Sequence, residues 1–282
     1  MSNPVCILSV GRSGSSLAAR AINLLGIDLG PEESLLPVTD MNPSGSWEQH
    51  DMVYLNGEIL TALGGSYLEP PPREPGWENG PEVAPLRARA EALVAELFDG
   101  RDRWGFKSPL AILTLPLWQP AMGDLDYVIC VRNPLEFVES AKLWVPDVRP
   151  LDPAALWLYL NCEALRMTAG GRRTFVFYED WFRDSRAVVG DLASFLHGPE
   201  AEVPAAVEEE IAALVNPALR RQRADALDLA RRADLTVEAR TFHFLVRALA
   251  DAEREGDDRA PALHSLTASL DGGAVVRSPH RG

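Results

Sequence analysis

Residues 5–10 (VCILSV) form an apolar run broken only by one serine, and a glycine- and serine-rich turn follows at once. Beyond the turn, apolar positions recur at Leu17, Ala21, Leu24 and Leu25. The run reads as a buried strand and the spacing as a helix over 15–25. Strand, glycine loop and helix open a βαβ unit. Residues 37–46 are turn-rich, and 47–63 becomes helical in its later part. The stretch 67–85 is dense in proline and glycine, which predicts an ordered irregular loop or lid. An amphipathic helix is expected over 86–98, then a short strand at 104–107 running into a turn at Ser108-Pro109. The clearest second core strand is 127–131 (YVICV), followed by Arg132-Asn133-Pro134 and a helix to about 143. A helix over 153–169, a third strand at 174–178 (TFVFY) and a helix through 196 come next. The last third is helical and arginine-rich, and its pattern fades from 256.

Strands alternating with helices predict an α/β fold: a P-loop-like parallel β-sheet flanked by helices on both faces, with a helical C-terminal part. One domain is expected over 1–256, with a loosely ordered C-terminal tail at 257–282. No internal repeat is visible.

Charge narrows the partners. The chain of 282 residues carries 27 basic and 41 acidic side chains, a formal net charge of −14. An acidic surface disfavours nucleic acid and anionic lipid, both of which need basic patches. An anionic ligand must therefore be held by a local cluster of donors working against the global field. Only Lys107 and Lys142 are lysines; every other basic residue is arginine. Cys6, Cys130 and Cys162 are widely spaced and suit neither a zinc site nor a CxxC pair, which reads as buried reduced thiols in a cytoplasmic protein. No stretch is long and apolar enough for a membrane span.

Two segments carry candidate chemistry. Gly11-Arg12-Ser13-Gly14-Ser15-Ser16 lies between a strand and a helix N-terminus, where backbone N–H groups and the helix dipole favour an anion. Arg12 and the hydroxyls of Ser13, Ser15 and Ser16 add charge-assisted hydrogen bonds. The segment lacks the lysine and the spacing of a Walker A loop. A tight turn with serine caps would read the same way. Arg132 stands where the second core strand ends, the place where ligands bind in open α/β sheets. Ser140 lies two helical turns further on, and Pro134 suits an early helical position. An arginine paired with a surface acid is the plainer alternative there.

Together these segments resemble the PAPS-dependent sulfotransferases, which move a sulfuryl group from 3′-phosphoadenosine 5′-phosphosulfate (PAPS) to an acceptor and release PAP. The family's first loop, of the form YPKSGTTW, appears as Val10-Gly11-Arg12-Ser13-Gly14-Ser15-Ser16-Leu17, with Arg12 in place of lysine. Its 3′-phosphate motif, RNPxxxxxS, is matched by Arg132-Asn133-Pro134 and Ser140. Its YED segment, whose tyrosine approaches the adenine, is matched by Tyr178-Glu179-Asp180. The resemblance covers roughly 4–196. Met41-Asn42-Pro43-Ser44-Gly45-Ser46-Trp47-Glu48, Leu55-Asn56 and Trp104-Gly105-Phe106-Lys107 are similar to a bacterial subgroup. Leu17 replaces a tryptophan that stacks on adenine in animal enzymes. Lys107-Ser108-Pro109 stands where those enzymes have KTH, so the histidine base is absent. Their C-terminal RKG is absent too, with Arg220-Arg221-Gln222-Arg223 as a candidate substitute.

The resemblance implies PAPS as co-substrate, with no metal required, and as acceptor a hydroxyl or amine of a small-molecule, sugar or lipid-type compound. It assigns Arg12, Ser13, Gly14, Ser15, Ser16, Arg132, Ser140, Tyr178, Arg220 and Arg221 to the nucleotide. Arg12 and Lys107 become the cations near the transferred group. The base is expected in Trp47-Glu48-Gln49-His50-Asp51, with Glu48 as first choice and His50 as second; Glu48 and Asp51 could equally belong to a helix N-terminus. The segments 67–85, with Trp77, and 144–150 are candidate walls of an acceptor pocket. A P-loop small-molecule kinase is the leading alternative, and it lacks its lysine here. A nucleotide-binding module without turnover is another. The sequence carries no signal of oligomeric state.

Overall fold

Strand β1 (Val5–Ser9) is buried at every position. It pairs in parallel with β2 (Gly105–Lys107) on one side and β3 (Asp126–Val131) on the other. Strand β4 (Arg173–Phe177) extends the sheet beyond β3, giving the order β2-β1-β3-β4. The computed structural model describes residues 3–39, 45–144, 152–220, 222–232 and 235–270. Helix α1 (Ser15–Leu24) follows β1, and α2 (His50–Ala62) and α3 (Ala84–Phe98) precede β2. Helix α4 (Ala111–Met122) joins β2 to β3, and α5 (Pro134–Trp144) and α6 (Pro153–Met167) join β3 to β4. After β4 come α7 (Asp180–Arg183), α8 (Ser185–His197), α9 (Ala205–Leu214), α10 (Ala226–Arg231), α11 (Val237–Glu255) and α12 (Ala260–Ala268).

Successive strand residues face opposite sides of a sheet. Cys6, Leu8, Ile129 and Phe177 pack with Leu55 of α2, Leu93 of α3, Trp118 of α4, Trp157 of α6 and Phe242 of α11. Ile7, Val128, Cys130 and Val176 pack on the other face with Ile22 of α1, Leu192 of α8 and Ile211 of α9. This is the α/β architecture that the alternating pattern predicts. Because every strand is parallel, Ser9, Lys107, Val131 and Phe177 all deliver the chain to the same edge of the sheet.

Three segments differ from the sequence reading. Helix α4 has no counterpart in it, and its Pro116 and Pro120 are residues that disfavour a helix interior. The helix forms around both prolines because nearly its whole circumference, including Ile112, Leu115, Leu117 and Trp118, is buried. The helix expected after Tyr178 is two pieces: Asp184 leaves helical geometry and its carboxylate accepts the N–H of Ala187 to cap α8. Within the segment read as a tail, Ala260–Ala268 form α12, which packs on α6 and α11. Cys162 of α6 donates to the carbonyl of Leu270 there. Residues 271–282 lie outside the described residues. The irregular stretch after Tyr67 is tied down by Arg73, which donates to the Leu113 carbonyl (2.7 Å) and to Glu163 of α6 (2.6 Å). All three cysteines are buried. Among the described residues no helix is long and apolar enough to cross a membrane.

Helix α11 also buries His243 beside the end of β4. Its Nε2 lies 3.5 Å from a carboxylate oxygen of Glu179, with Arg247 one turn along the helix. Burial, and then the Arg247 charge, hold its pKa down at about 3, against 6.5 for a free imidazole. The unfolded chain therefore binds the extra proton between those values, and this residue's contribution to stability is lost as pH falls below about 6.5. Burial raises the pKa of Glu179, which acts with the opposite sign, so a differential measurement isolates the histidine. Wild type is expected to lose stability relative to His243→Gln as pH falls from 7 to 4, read by urea unfolding at each pH.

Candidate active site

The chain leaves β1 through a turn in which Arg12 (φ 70°) and Gly14 (φ 79°) both adopt the left-handed conformation. Gly14 is required twice over. A side chain would be strained at that φ, and a Cβ would sit 2.3 Å from the ring of Tyr178. Helix α1 starts immediately afterwards, so the turn presents a helix N-terminus at the sheet edge. The hydroxyl of Ser13 is buried in the turn without a partner among the described residues, a donor set in place for an external acceptor. The N–H of Gly11 donates to the hydroxyl of Tyr67 at 2.9 Å. Burial raises the pKa of that tyrosine, so it stays neutral.

The end of β3 meets this turn. Arg132, buried, donates from Nη1 to the carbonyl of Arg12 at 2.9 Å and stacks its guanidinium 4.3 Å from the centre of the Tyr178 ring. Arg12 in turn donates through Nε to the hydroxyl of Ser140 at 3.3 Å. Glu136, one helical turn after Arg132 and fully buried, organises the arginines. Its Oε2 accepts Nε and Nη2 of Arg132, both at 3.2 Å, and its Oε1 accepts Nη2 of Arg220 at 2.5 Å and the N–H of Ala224 at 3.1 Å. Two guanidinium groups share one carboxylate, so the cluster keeps a net positive charge at the sheet edge. Burial raises the pKa of Tyr178, with Arg132 opposing, and leaves a neutral ring as one wall.

A second cluster forms where β2 ends. Lys107 donates from Nζ to Glu48 Oε1 at 2.6 Å and to the carbonyl of Ser46 at 2.9 Å, with the Ser16 hydroxyl at 3.4 Å. The Lys107 ammonium is almost completely buried and Glu48 nearly so. Ser16 links this pair to the first turn. Trp47 lies between Ser46 and Glu48 at φ 60°, uncommon for a large residue and a mark of local constraint. Asn56 braces the turn after Lys107: its Nδ2 donates to the Ser108 hydroxyl at 3.2 Å while Oδ1 accepts Trp118 Nε1 at 2.7 Å.

The structure thus gathers Arg12, Ser13, Gly14, Ser15, Arg132, Ser140, Tyr178 and Arg220 into one cluster around the first turn, and Ser16, Lys107 and Glu48 into an adjoining one. His50 stands apart: it opens α2, is half exposed, and its Nδ1 lies 2.6 Å from Asp51. Arg221, Met41-Asn42-Pro43-Ser44 and 145–150 lie outside the described residues. Tyr67, Asn56 and Glu136 were not singled out from sequence as site residues. Glu136 carries a local signal in its place four residues after Arg132 on one helix face, and Asn56 stands in the Leu55-Asn56 pair of the resemblance. Among the described residues there is no group of three or more histidine, cysteine or acidic side chains arranged for a metal.

No family model matches the chain, and no curated protein does either. Solved structures similar to it include the sulfotransferase domain of the Synechococcus PCC 7002 olefin synthase, at 24% identity over 83% of this chain and 89% of that one, with a TM-score of 0.47. A sulfotransferase domain from the curacin biosynthetic pathway matches at 15% identity over 73% and 77%, with a TM-score of 0.40. Retinol dehydratase in complex with androsterone and inactive cofactor PAP matches at 12% identity over 99% and 82%, also at 0.40.

Proposed function

We propose that this chain is a PAPS-dependent sulfotransferase acting on a hydroxyl of a small-molecule acceptor. The observation that carries this reading is the contact between the two anion motifs. Arg132 holds the carbonyl of Arg12 and Arg12 reaches Ser140, so a donor with phosphates at two positions can bridge them. The buried hydroxyl of Ser13 and the space kept by Gly14 suit the 5′-phosphosulfate. Arg132, Ser140 and Arg220 suit the 3′-phosphate, and Tyr178 the adenine.

The chemistry asked of these residues is positioning and charge stabilisation for an in-line displacement. The acceptor oxygen bonds to sulfur as the bond from sulfur to the donor phosphate oxygen breaks, and the electron pair leaves on PAP. Lys107 and Arg12 offset the charge growing on the bridging oxygen. Glu48 takes the acceptor's proton as general base. Its pairing with Lys107 keeps both groups at the junction of the clusters in the resting protein. A kinase reading has less support, since the first turn carries arginine where a Walker loop carries lysine. Catalysis in the cytoplasm by a single domain that includes the C-terminal helices completes the proposal.

Calorimetric titration separates the two phosphate sites. Arg132→Ala is expected to weaken PAP by roughly 10- to 100-fold, the value of about 1.5–3 kcal/mol for a hydrogen-bonded charge. AMP, which lacks the 3′-phosphate, should change by no more than about twofold. Equal losses for both ligands would contradict the assignment of Arg132.

A further inference from the structure

A cavity of about 820 Å³ opens between α2 and α3. Val53, Gly57 and Leu60 of α2, Leu86 of α3, Leu110 and the ring of Tyr67 line it. Its size falls in the range of small-molecule sites. Two of these residues connect it to the candidate site. Tyr67 lines the cavity while its hydroxyl accepts the Gly11 N–H of the phosphate turn. Leu110 follows the Lys107-Ser108-Pro109 turn that Asn56 braces.

Three features define what fits. Among the described residues no lysine, arginine or histidine lines the cavity, so none of them offers a counter-ion to a carboxylate, phosphate or sulfate there. Glu58 and Glu82, at its lining, repel an anion further; Glu58 already pairs with Arg89. Among the described residues the lining is mainly apolar, with Val53, Leu60, Ala62, Pro85, Leu86 and Leu110, so an alkyl body finds more to contact there than a sugar does. The third feature is Gly57. Glycine in a helix interior costs roughly 0.5–1 kcal/mol against alanine. Yet no heavy atom lies within 4 Å of where its Cβ would be, so packing does not require it. What the missing side chain leaves is room inside the cavity.

We infer that this cavity is the acceptor site and that the acceptor is a neutral, elongated apolar alcohol, an inference that rests on the sulfuryl-transfer reading above. The alkyl body lies along α2 and α3, and its hydroxyl meets Glu48 and Lys107 past the Tyr67 ring. The roof is preformed, since Arg73 ties the segment after Tyr67 to α4 and α6. Gly57 sets the bulk that the cavity admits.

The test uses labelled PAPS with straight-chain alcohols from butan-1-ol to octan-1-ol, and with glucose, on wild type and Gly57→Phe. PAP affinity of both proteins is measured in parallel. Wild-type kcat/KM is expected to rise about threefold to fourfold per added methylene, with glucose far below octan-1-ol. Gly57→Phe should lower kcat/KM for octan-1-ol at least tenfold while PAP affinity and melting temperature hold or improve. PAP binding with no chain-length dependence, with glucose preferred, or with Gly57→Phe unchanged toward octan-1-ol would overturn the inference and leave the donor reading standing. Absence of PAP binding by wild type would instead remove the reading on which the inference rests.

Discussion

Glu48→Gln is expected to lower kcat by about 10²- to 10⁴-fold, the range that a positioned general base contributes. Glutamine keeps the shape of the side chain, and its amide oxygen can still accept from Lys107, which donates to Glu48 at 2.6 Å. What it loses is the ability to take a proton. The variant should therefore fold and bind PAP within about twofold of wild type, placing the whole defect in turnover. Initial rates at saturating donor, with a PAP titration beside them, separate the two effects. Glu48 is proposed as base because it is nearly buried and joined to Lys107. His50 is half exposed and its contact is Asp51. A Glu48→Gln enzyme with near-normal kcat would remove Glu48 as base and make His50→Gln the next variant to measure.

Lys107→Met should lower kcat by about 10²- to 10³-fold, the cost of removing one donor aimed at developing charge. Methionine fills much of the volume of the lysine stem, yet it leaves Glu48 without its charge partner. Breaking a buried pair from one side costs about 3–5 kcal/mol, so a lower melting temperature is expected together with the rate loss. Rates are accordingly compared well below the melting point of the variant. PAP affinity should fall less than tenfold, because Lys107 stands apart from the Arg132 cluster and its carboxylate partner is Glu48. A kcat within tenfold of wild type would show that Arg12 alone carries the charge on the bridging oxygen.

Much of the candidate site is legible in the sequence because its parts adjoin along the chain. Residues 11–16 supply glycine, hydroxyls and arginine within one turn, and Arg132 and Ser140 share one strand-to-helix transition. The strands are equally legible, since a run such as 127–131 is buried on both faces of the sheet and shows as unbroken hydrophobicity. The arrangement between segments is not. Glu136 lies in plain view inside the second motif, but its second partner, Arg220, is 84 residues away. Only folding shows that one carboxylate serves both arginines. Tyr67 reaches the Gly11 N–H across 56 residues and from a segment whose prolines signal only irregularity. Helix α4 is hidden for a different reason: its prolines carry a strong local signal against helix, and burial on nearly every side overrides it. Gly57 carries no particular signal in the sequence, and only the open space beside it in the fold marks it as a feature of a cavity.

The most direct test of the central claim is calorimetric titration of the wild-type protein with PAP, and separately with ATP in the presence of Mg²⁺. The expected result is saturable one-to-one binding of PAP that is at least tenfold tighter than that of ATP with Mg²⁺. Binding of ATP with Mg²⁺ in the absence of any heat from PAP would contradict the account and favour phosphoryl over sulfuryl transfer.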